Sequence, residues 1–530
     1  MWSRSAFGFD VREGHVPVVV YAPHAGRRAR PVRRGDGVND LYTGEIGREL
    51  ADALDAYALL NPTIDRNEAD LNRVSVLSST AEPVLFQLRA LVEQASSDGS
   101  VPLVLIVHGW NVTMPACDIG IGLTTRNGDV RGSHPTVSRA MHGRFVCELV
   151  AELSSRGIEA PLGLRYPASG RDNATQLFSG RHAEHAHAHV SALSRLGAKG
   201  GVDAVQLELA IPLRWPGSYR DHFLDAVLRT VGRHVETHER AARRSAPARA
   251  PRTEWALEPR ASSGAHRPTL PLGWSLQAVL GDGSGLFGGA EPAGANEAAA
   301  RLCLVKADGR MMLFVGEDEW AGEERDFQVG GLRLVAASGV GGMGDAVRLT
   351  YDGPMVIYPS HDAFCDLETG LAGSDLVLGT ADLTFEPEEG AFGRLKGRVT
   401  CGEERFDMDV IAVCERGSRR SGAMRARSRV FVTRGPVGPL ALRAHFDDSA
   451  DPETPRCECR IDGSGEVSEI GCFFQDGVAT EARVLTRVPV YRVLGERMVV
   501  KVTFGTAQIE HSEEEFSLAL FEHVELITTC

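Results

Sequence analysis

Four short segments in the first 214 residues carry side chains suited to metal-assisted hydrolysis. They are Pro-His-Ala-Gly at 23–26, Asp-Leu-Asn-Arg at 70–73, Val-His-Gly at 107–109 and Gln-Leu-Glu-Leu at 206–209. His24 and His108 each come at the end of an apolar run, so both can meet above the edge of one sheet. A catalytic zinc ion takes three protein ligands from histidine and carboxylate side chains and keeps one position for water. The two histidines are therefore candidate zinc ligands.

A carboxylate has to complete this ligand set, and the sequence offers two. Asp40 and Glu45 both lie between the His24 loop and the first turn of the following predicted helix. We favour Asp40 as the third metal ligand. Either residue could instead cap the helix or stabilise its dipole, as acidic residues do at that position.

Glu208 lies inside the apolar run 205–211, where strand alternation puts it on the same face as Gln206. An unpaired buried carboxylate is costly, so this position calls for a reason. A general base supplies one, because burial raises the pKa of a carboxyl group towards neutrality. A structural ion pair with Arg214 is the competing interpretation.

Asn72 and Arg73 follow an acidic turn and suit a substrate carboxylate. A guanidinium beside an amide holds a carboxylate through parallel, charge-assisted hydrogen bonds that fix its position and orientation. Arg214, just beyond the fourth segment, is a further candidate for substrate binding. For Arg73 taken alone, a surface salt bridge is the simpler interpretation.

The elements that would position these residues alternate between strands and helices. Apolar runs at 18–21, 103–107 and 204–207 are typical of strands buried on both faces. Helical periodicity follows from about Thr43 and from about Arg139. The pattern predicts an α/β domain over residues 1–235, with a mostly parallel sheet and helices on both faces.

The pattern changes after residue 235. Residues 236–271 are rich in Arg, Ala and Pro and predict a linker. Residues 272–530 contain short strand-like runs separated by turn signals, including Asp-Gly at 308–309 and at 352–353, which both predict hairpins. We expect an antiparallel all-β domain there, either a sandwich or a barrel.

Composition limits the partners and the location. The 530 residues carry a formal net charge of −14, which disfavours nucleic acid and anionic membranes as partners. The N-terminal residues lack a signal-peptide core, and no apolar stretch is long enough to span a membrane. Ten cysteines are thinly spread and predict reduced thiols. We expect a cytoplasmic protein that acts on small molecules or peptides.

Together the four segments resemble the N-formylglutamate amidohydrolase family, and more distantly aspartoacylase, succinylglutamate desuccinylase and the zinc carboxypeptidases. The resemblance covers roughly residues 15–230 and implies a phosphorylase/hydrolase-like α/β fold. It implies Zn²⁺ held by His24, His108 and an acidic residue, which we take as Asp40, with Glu208 as general base. The Asn72–Arg73 pair would hold the substrate carboxylate. The family commonly has Asp-x-His-Ser at the second histidine, whereas this chain has Ile-Val-His-Gly at 106–109.

The resemblance implies a zinc-dependent amidohydrolase acting on an N-acyl (N-formyl) amino acid or a related carboxylate-bearing amide or peptide. Two alternatives remain open. The departures around His108 are compatible with an inactive amidohydrolase-like scaffold. The C-terminal part faintly resembles carotenoid hydratase-like and lipocalin-like β domains, which would make binding of an apolar ligand, such as a lipid or carotenoid-like molecule, the main function.

Overall fold

The chain forms two compact units, Met1–Arg267 and Pro268–Cys530, which we call the α/β unit and the β unit. The computed structural model describes residues 1–28, 37–126, 129–132, 134–242, 273–292, 297–319, 325–337, 346–360, 367–389, 392–417, 424–434, 440–447, 456–458, 474–475, 478–479, 482–495, 498–510 and 516–528. The described helices include none that is both long and apolar enough to cross a membrane.

The α/β unit is built on a seven-stranded mixed sheet. Its strands are β1 (Trp2–Arg4), β2 (Asp10–Arg12), β3 (Val16–Ala22), β4 (Ala56–Leu60), β5 (Leu103–Gly109), β6 (Cys117–Gly120) and β9 (Asp203–Leu209); β7 (Thr124–Arg126) and β8 (Asp129–Arg131) form a separate hairpin. The order in the sheet is β1-β2-β4-β3-β5-β9-β6. The four central strands, β4, β3, β5 and β9, are parallel, and the outer strands pair antiparallel. The carboxyl ends of the parallel strands therefore share one edge.

Helices cover both faces of this sheet. They are α1 (Thr43–Leu54), α2 (Val74–Leu77), α3 (Glu82–Ala95), α4 (Arg139–Met141), α5 (Cys147–Ser154), α6 (Ala188–Ala198), α7 (Ile211–Arg214) and α8 (Ser218–Ala242), with a π-helical turn at His142–Val146 and a 3₁₀ turn at Ala174–Phe178. Alternate residues of each central strand face two separate apolar cores: one core includes residues of α1, α5 and α8, and the other includes residues of α3 and α6. The predicted α/β fold is confirmed.

The β unit is antiparallel. Its strands are β10 (Gly273–Val279), β11 (Gly285–Pro292), β12 (Glu297–Val305), β13 (Met311–Glu319), β14 (Asp326–Val329), β15 (Leu332–Ala337), β16 (Ala346–Tyr358), β17 (Asp375–Glu389), β18 (Phe392–Cys401), β19 (Glu404–Gly417), β20 (Met424–Arg434), β21 (Leu440–Asp447), β22 (Arg456–Glu458), β23 (Phe474–Gln475), β24 (Val478–Ala479), β25 (Ala482–Gly495), β26 (Met498–Glu510) and β27 (Phe516–Thr528); its described helix is α9 (Leu367–Ala372). Eight strands, β13-β12-β11-β10-β19-β18-β17-β16, close into a barrel because β13 also pairs with β16. A second sheet has the order β22-β21-β20-β27-β26-β25.

Two details of the sequence-based prediction are wrong. The Asp-Gly pair at 352–353 forms no hairpin turn, because β16 continues through it and pairs with β17 on both sides. The first seven residues of the predicted linker, 236–242, belong to α8. Ala, Arg and Glu are good helix formers, so the composition that predicts a linker also suits the end of a helix. Residues 243–271 of the predicted linker lie outside the described residues.

Candidate metal and catalytic site

His24, Asp40 and His108 meet at the carboxyl edge of the parallel strands. His24 follows β3, His108 is the penultimate residue of β5, and Asp40 precedes α1. One potential ligand atom from each residue lies within 4.8 Å of the other two. All three side chains are buried, and the two imidazole rings pack edge to face with their centroids 4.7 Å apart. This is the one such group of His, Cys, Asp or Glu residues in the part of the chain that the structure describes.

Backbone contacts hold Asp40 at this point. Its N–H donates to the carbonyl of His24 over 2.8 Å, and its own carbonyl accepts the Thr43 hydroxyl over 2.6 Å at the start of α1. The loop from His24 is thereby tied to the helix that follows. Glu45, the alternative ligand, is exposed in the first turn of that helix. The structure thus brings Asp40 to the two histidines, and Glu45 is not part of the group.

Asp40 carries its negative charge inside the group. Burial by itself would raise the pKa of this carboxyl group, but the hydrogen bond with His108 and the nearby charges of His24 and Arg66 hold the pKa well below its usual range. Its Oδ2 lies 3.0 Å from Nδ1 of His108 and 3.3 Å from Nδ1 of His24. Arg66 approaches the other oxygen, Oδ1, to 3.4 Å. A buried anion between two imidazoles is the electrostatic environment that a divalent cation requires.

A second carboxylate orients His24 from behind. Nε2 of His24 lies 2.6 Å from Oδ1 of Asp70, the first residue of the second motif. Burial raises the pKa of Asp70, but the hydrogen bond and the charge of His24 outweigh it, so the pKa is lowered. Nε2 of His24 faces Asp70, so Nδ1, which lies on the side of Asp40, is the ring nitrogen placed to bind an ion. Carboxylates play this role behind metal-binding histidines in many zinc sites.

Two buried ring nitrogens of the His24–Asp40–His108 group lack a hydrogen-bond partner among the described residues. Nδ1 of His24 and Nε2 of His108 are buried and make no hydrogen bond to any part of the protein that the structure describes. Buried polar atoms of folded proteins nearly always have a partner, which includes bound ions and water. The donor set of two imidazoles and one ionised carboxylate fits Zn²⁺.

Glu208 lies directly beside His108. The parallel register of β5 and β9 pairs the two residues, and the antiparallel register of β6 pairs Glu208 with Asp118 on its other side. Burial raises the pKa of Glu208 to about 7; the charge of His108 lowers it, while the charges of Asp40 and Asp118 raise it further. At neutral pH this carboxyl group therefore exchanges a proton readily, as a general base must.

Gln206 fixes one oxygen of Glu208. Its amide nitrogen donates to Oε1 of Glu208 over 2.7 Å, while its amide oxygen accepts from Asn173 over 3.1 Å and from the Thr175 hydroxyl over 2.9 Å. The two donors to the oxygen define the orientation of the amide, so that its nitrogen faces Glu208. Oε1 is thus occupied as an acceptor, which leaves Oε2 as the atom that can carry a proton.

Asn72 and Arg73 lie on the segment that contains Asp70. The Arg73 Nε donates to Oδ2 of Asp70 over 3.2 Å, and the arginine side chain is 55% exposed. The side-chain oxygen of Asn72 is buried and has no hydrogen-bond partner among the described residues. This segment pairs with Asn173, which also contacts Gln206. The carboxylate-binding candidates and the candidate base are therefore joined by one hydrogen-bonded network.

Arg214 is predicted to bind substrate, but the structure places it in the protein interior. Its side chain is completely buried at the end of α7. The guanidinium donates to the carbonyls of Leu41 and Trp110 and to the side-chain oxygen of Asn111. These are loop atoms of the protein itself, so the hydrogen bonds of Arg214 serve the loops around the site.

Sequence reasoning assigned no role to three charged neighbours of the site, namely Asp70, Arg66 and Asp118. Asp70 is the first residue of the segment 70–73. Its carboxylate, two residues before Asn72, could have marked it as a site residue from the sequence alone. Arg66 contacts Asp40 only because two loops converge, so no local pattern marks it. Asp118 lies in an edge strand and accepts backbone N–H groups of residues 164–166; burial nevertheless raises its pKa.

Comparisons with known proteins give weak likenesses only. No model of a known protein family matches the chain, and no curated protein sequence matches it. Among solved structures, an N-formylglutamate amidohydrolase from Ralstonia eutropha JMP134 shares 13% sequence identity and covers 44% of this chain and 98% of its own, with a TM-score of 0.29. A kievitone hydratase from Nectria haematococca shares 9% identity and covers 48% of this chain and 89% of its own, with a TM-score of 0.25. At such low TM-scores neither likeness carries an argument about function.

Proposed function

We propose that the α/β unit is a zinc-dependent amidohydrolase that cleaves the amide bond of an N-acyl amino acid or a related carboxylate-bearing amide. The observation that supports this most is the buried His24–Asp40–His108 group with Glu208 in the adjacent strand position. Burying these ionisable groups together is costly for a structural core. A metal-assisted hydrolase needs them together.

His24, Asp40 and His108 would hold the ion. When bound, Zn²⁺ acts as a Lewis acid towards a carbonyl oxygen and lowers the pKa of water to about 7. Asp70 would accept a proton from Nε2 of His24, which leaves the lone pair of Nδ1 for the ion. Ionised Asp40 would offset part of the positive charge of the ion at this buried position.

Glu208 would move the protons of the reaction. Its Oε2 takes a proton from the attacking water, while Gln206 keeps Oε1 bonded. The same oxygen then passes the proton to the leaving nitrogen, so that the amine departs uncharged as the C–N bond breaks. A pKa of about 7 lets one carboxyl group perform both steps at neutral pH.

Arg73 and Asn72 would set the substrate class. The exposed part of the Arg73 guanidinium is available to a carboxylate, and its bond to Asp70 restrains the direction in which it points. Charge-assisted bonds of this kind fix both the position and the orientation of a substrate. We expect amides that lack a carboxylate to be poor substrates, and the acyl group to be less strictly selected than the carboxylate.

Elemental analysis of protein purified without a histidine tag tests the metal site. We expect about one zinc per chain, lost in His24→Ala, His108→Ala and Asp40→Ala. Glu45→Ala is the matched control, because this residue is acidic, close in sequence and exposed; it should keep the metal. A chain without metal, or metal kept by both histidine variants, would refute the proposal, whereas bound metal justifies a screen of N-acyl amino acids.

A further inference from the structure

The two loops that bring Asp40 and His108 together are joined by one buried cation. Nη1 of Arg214 donates to the carbonyl of Leu41, the residue after Asp40, over 3.1 Å. Nη2 donates to the carbonyl of Trp110, two residues after His108, over 3.2 Å. A single guanidinium thus contacts the chain immediately beyond both candidate metal ligands.

A third contact strengthens this connection. Nη2 of Arg214 also donates to Oδ1 of Asn111 over 2.7 Å, so the loop after β5 supplies two of the acceptors. A guanidinium presents several N–H donors on a rigid plane, whereas a lysine ammonium is a single point on a flexible stem. The planar fork is therefore what allows one side chain to hold two separate loops.

Gly109 provides the space for the guanidinium. A Cβ at this position would lie 2.4 Å from Nη1 of Arg214 and 3.0 Å from the Cβ of Asp40. The backbone next to His108 is therefore packed between the guanidinium and Asp40. Any side chain at position 109 would collide with both of these groups.

The loop on the Asp40 side is also strained. Tyr42 has a φ of 66°, in the left-handed region that residues other than glycine and asparagine rarely adopt. Its ring packs against Trp215, the residue after Arg214, with the ring centroids 4.7 Å apart. Strain of this kind persists only where surrounding contacts hold it, and Arg214 and Trp215 supply two of those contacts.

We infer that Arg214 is a positioning residue that sets the distance between Asp40 and His108 and thereby the affinity of the site for its metal ion. The inference rests on the proposed metal site and assigns Arg214 no contact with substrate. The energetic cost of burying the guanidinium charge is offset by hydrogen bonds to three oxygen acceptors on these two loops. Removing the guanidinium would leave those acceptors unsatisfied and let the loops separate.

The test compares zinc affinity, measured by competition with a chelator, and the visible absorption of the Co²⁺-loaded protein. Arg214→Lys keeps the charge but lacks the planar fork, and we expect it to bind zinc about 10- to 100-fold more weakly, as loss of supporting contacts around a metal site does. The Co²⁺ absorption should also change, because it reports the geometry of the ligands. Gly109→Ala should show the same two effects while keeping the arginine.

Arg12→Met is the matched control. Arg12 is also a buried arginine, and it donates to the carbonyl of Ala56 at the opposite end of the parallel strands. Its loss should lower the melting temperature and leave zinc affinity and the Co²⁺ spectrum unchanged. This control separates a general loss of stability from a loss of ligand geometry.

Unchanged zinc affinity and an unchanged Co²⁺ spectrum in Arg214→Lys would overturn this inference and leave the proposed function standing. If Arg214→Lys does not fold, Gly109→Ala decides in the same way. Absence of zinc from the unaltered chain would instead overturn both proposals, so the two failures can be told apart.

Discussion

The charged side chains at the candidate site of the α/β unit and those on the barrel surface of the β unit lie in opposite environments. In the α/β unit, His24, Asp40, His108, Glu208 and Arg214 are all buried around the carboxyl edge of the parallel strands. In the β unit, opposite charges form pairs across neighbouring strands of the barrel and remain exposed. Examples are Arg348 with Asp382, Arg394 with Asp409 and Arg398 with Asp407.

The difference separates buried charges, which neighbouring protein groups must compensate, from exposed charges, which water compensates. A buried ionisable group must find partners or shift its pKa, and both happen around Asp40 and Glu208. An exposed pair gains little, because water screens the attraction and the side chains lose freedom when they pair. We therefore expect substitutions in the first unit to have large and specific effects and those in the second to have small ones.

Glu208→Gln should give the largest effect on activity. It keeps the size of the side chain and removes the group that takes and returns the proton, so we expect the rate of amide hydrolysis to fall about 10²- to 10⁴-fold. Zinc content should stay unchanged, since Glu208 is not in the ligand group. Steady-state kinetics and metal analysis on the same preparation check this. Near-normal activity with zinc bound would remove Glu208 from the mechanism.

Asp70→Asn should mainly affect the metal. The amide can no longer hold the proton on Nε2 of His24 as an ionised carboxylate does. We expect zinc to bind about 10- to 100-fold more weakly, as is typical when a carboxylate behind a metal-binding histidine is lost. Chelator competition measures this affinity. An affinity equal to that of the unaltered chain would show that the contact does not tune the site.

Glu208 should make the stability of the metal-free protein depend on pH. The Glu208→Gln variant tests this expectation. Burial raises the pKa of Glu208 from 4.5 to about 7, so its contribution to stability is fully present below pH 4.5 and is lost as the pH rises through about 7. The cost of ionising it in the folded state is about 3 kcal/mol, at about 1.4 kcal/mol for each pKa unit.

The glutamine variant avoids this cost. Relative to the unaltered chain, it should therefore gain stability between about pH 5 and about pH 8. Urea unfolding of both proteins with a chelator present measures the difference at each pH. A difference that is constant with pH would contradict the raised pKa.

Arg348→Ala in the β unit should give the smallest effect. Both side chains of its pair with Asp382 are about 60% exposed. We expect the melting temperature to change by no more than about 2 °C, with zinc content and activity unaltered. A large drop in melting temperature would show that the exposed pairs stabilise the barrel and would weaken the contrast between the two units.

Two Asp-Gly pairs show how far local sequence predicts structure. At 308–309 the pair makes the predicted hairpin between β12 and β13, and Gly309 has a φ of 91°. At 352–353 the same dipeptide lies inside β16, which pairs with both β15 and β17. A turn signal is a local preference, and the pairing of β16 with β17 through both residues overrides it.

The sequence by itself determined the class of both units and the segments that carry the site. The apolar runs before His24 and His108 and around Glu208 are typical of strands buried on both faces, a pattern that can be recognised locally in the sequence. The order of those motifs along the chain also pointed to the proposed chemistry.

Only the tertiary structure decided which groups meet. The choice of Asp40 over Glu45 depends on the backbone contact of Asp40 with His24, which no residue pattern in the sequence predicts. The contacts of Asp70 with His24 and of Arg214 with two loops join residues 46 or more positions apart. Such contacts depend on how distant strands and loops pack, because burial and electrostatics act through space and not along the chain.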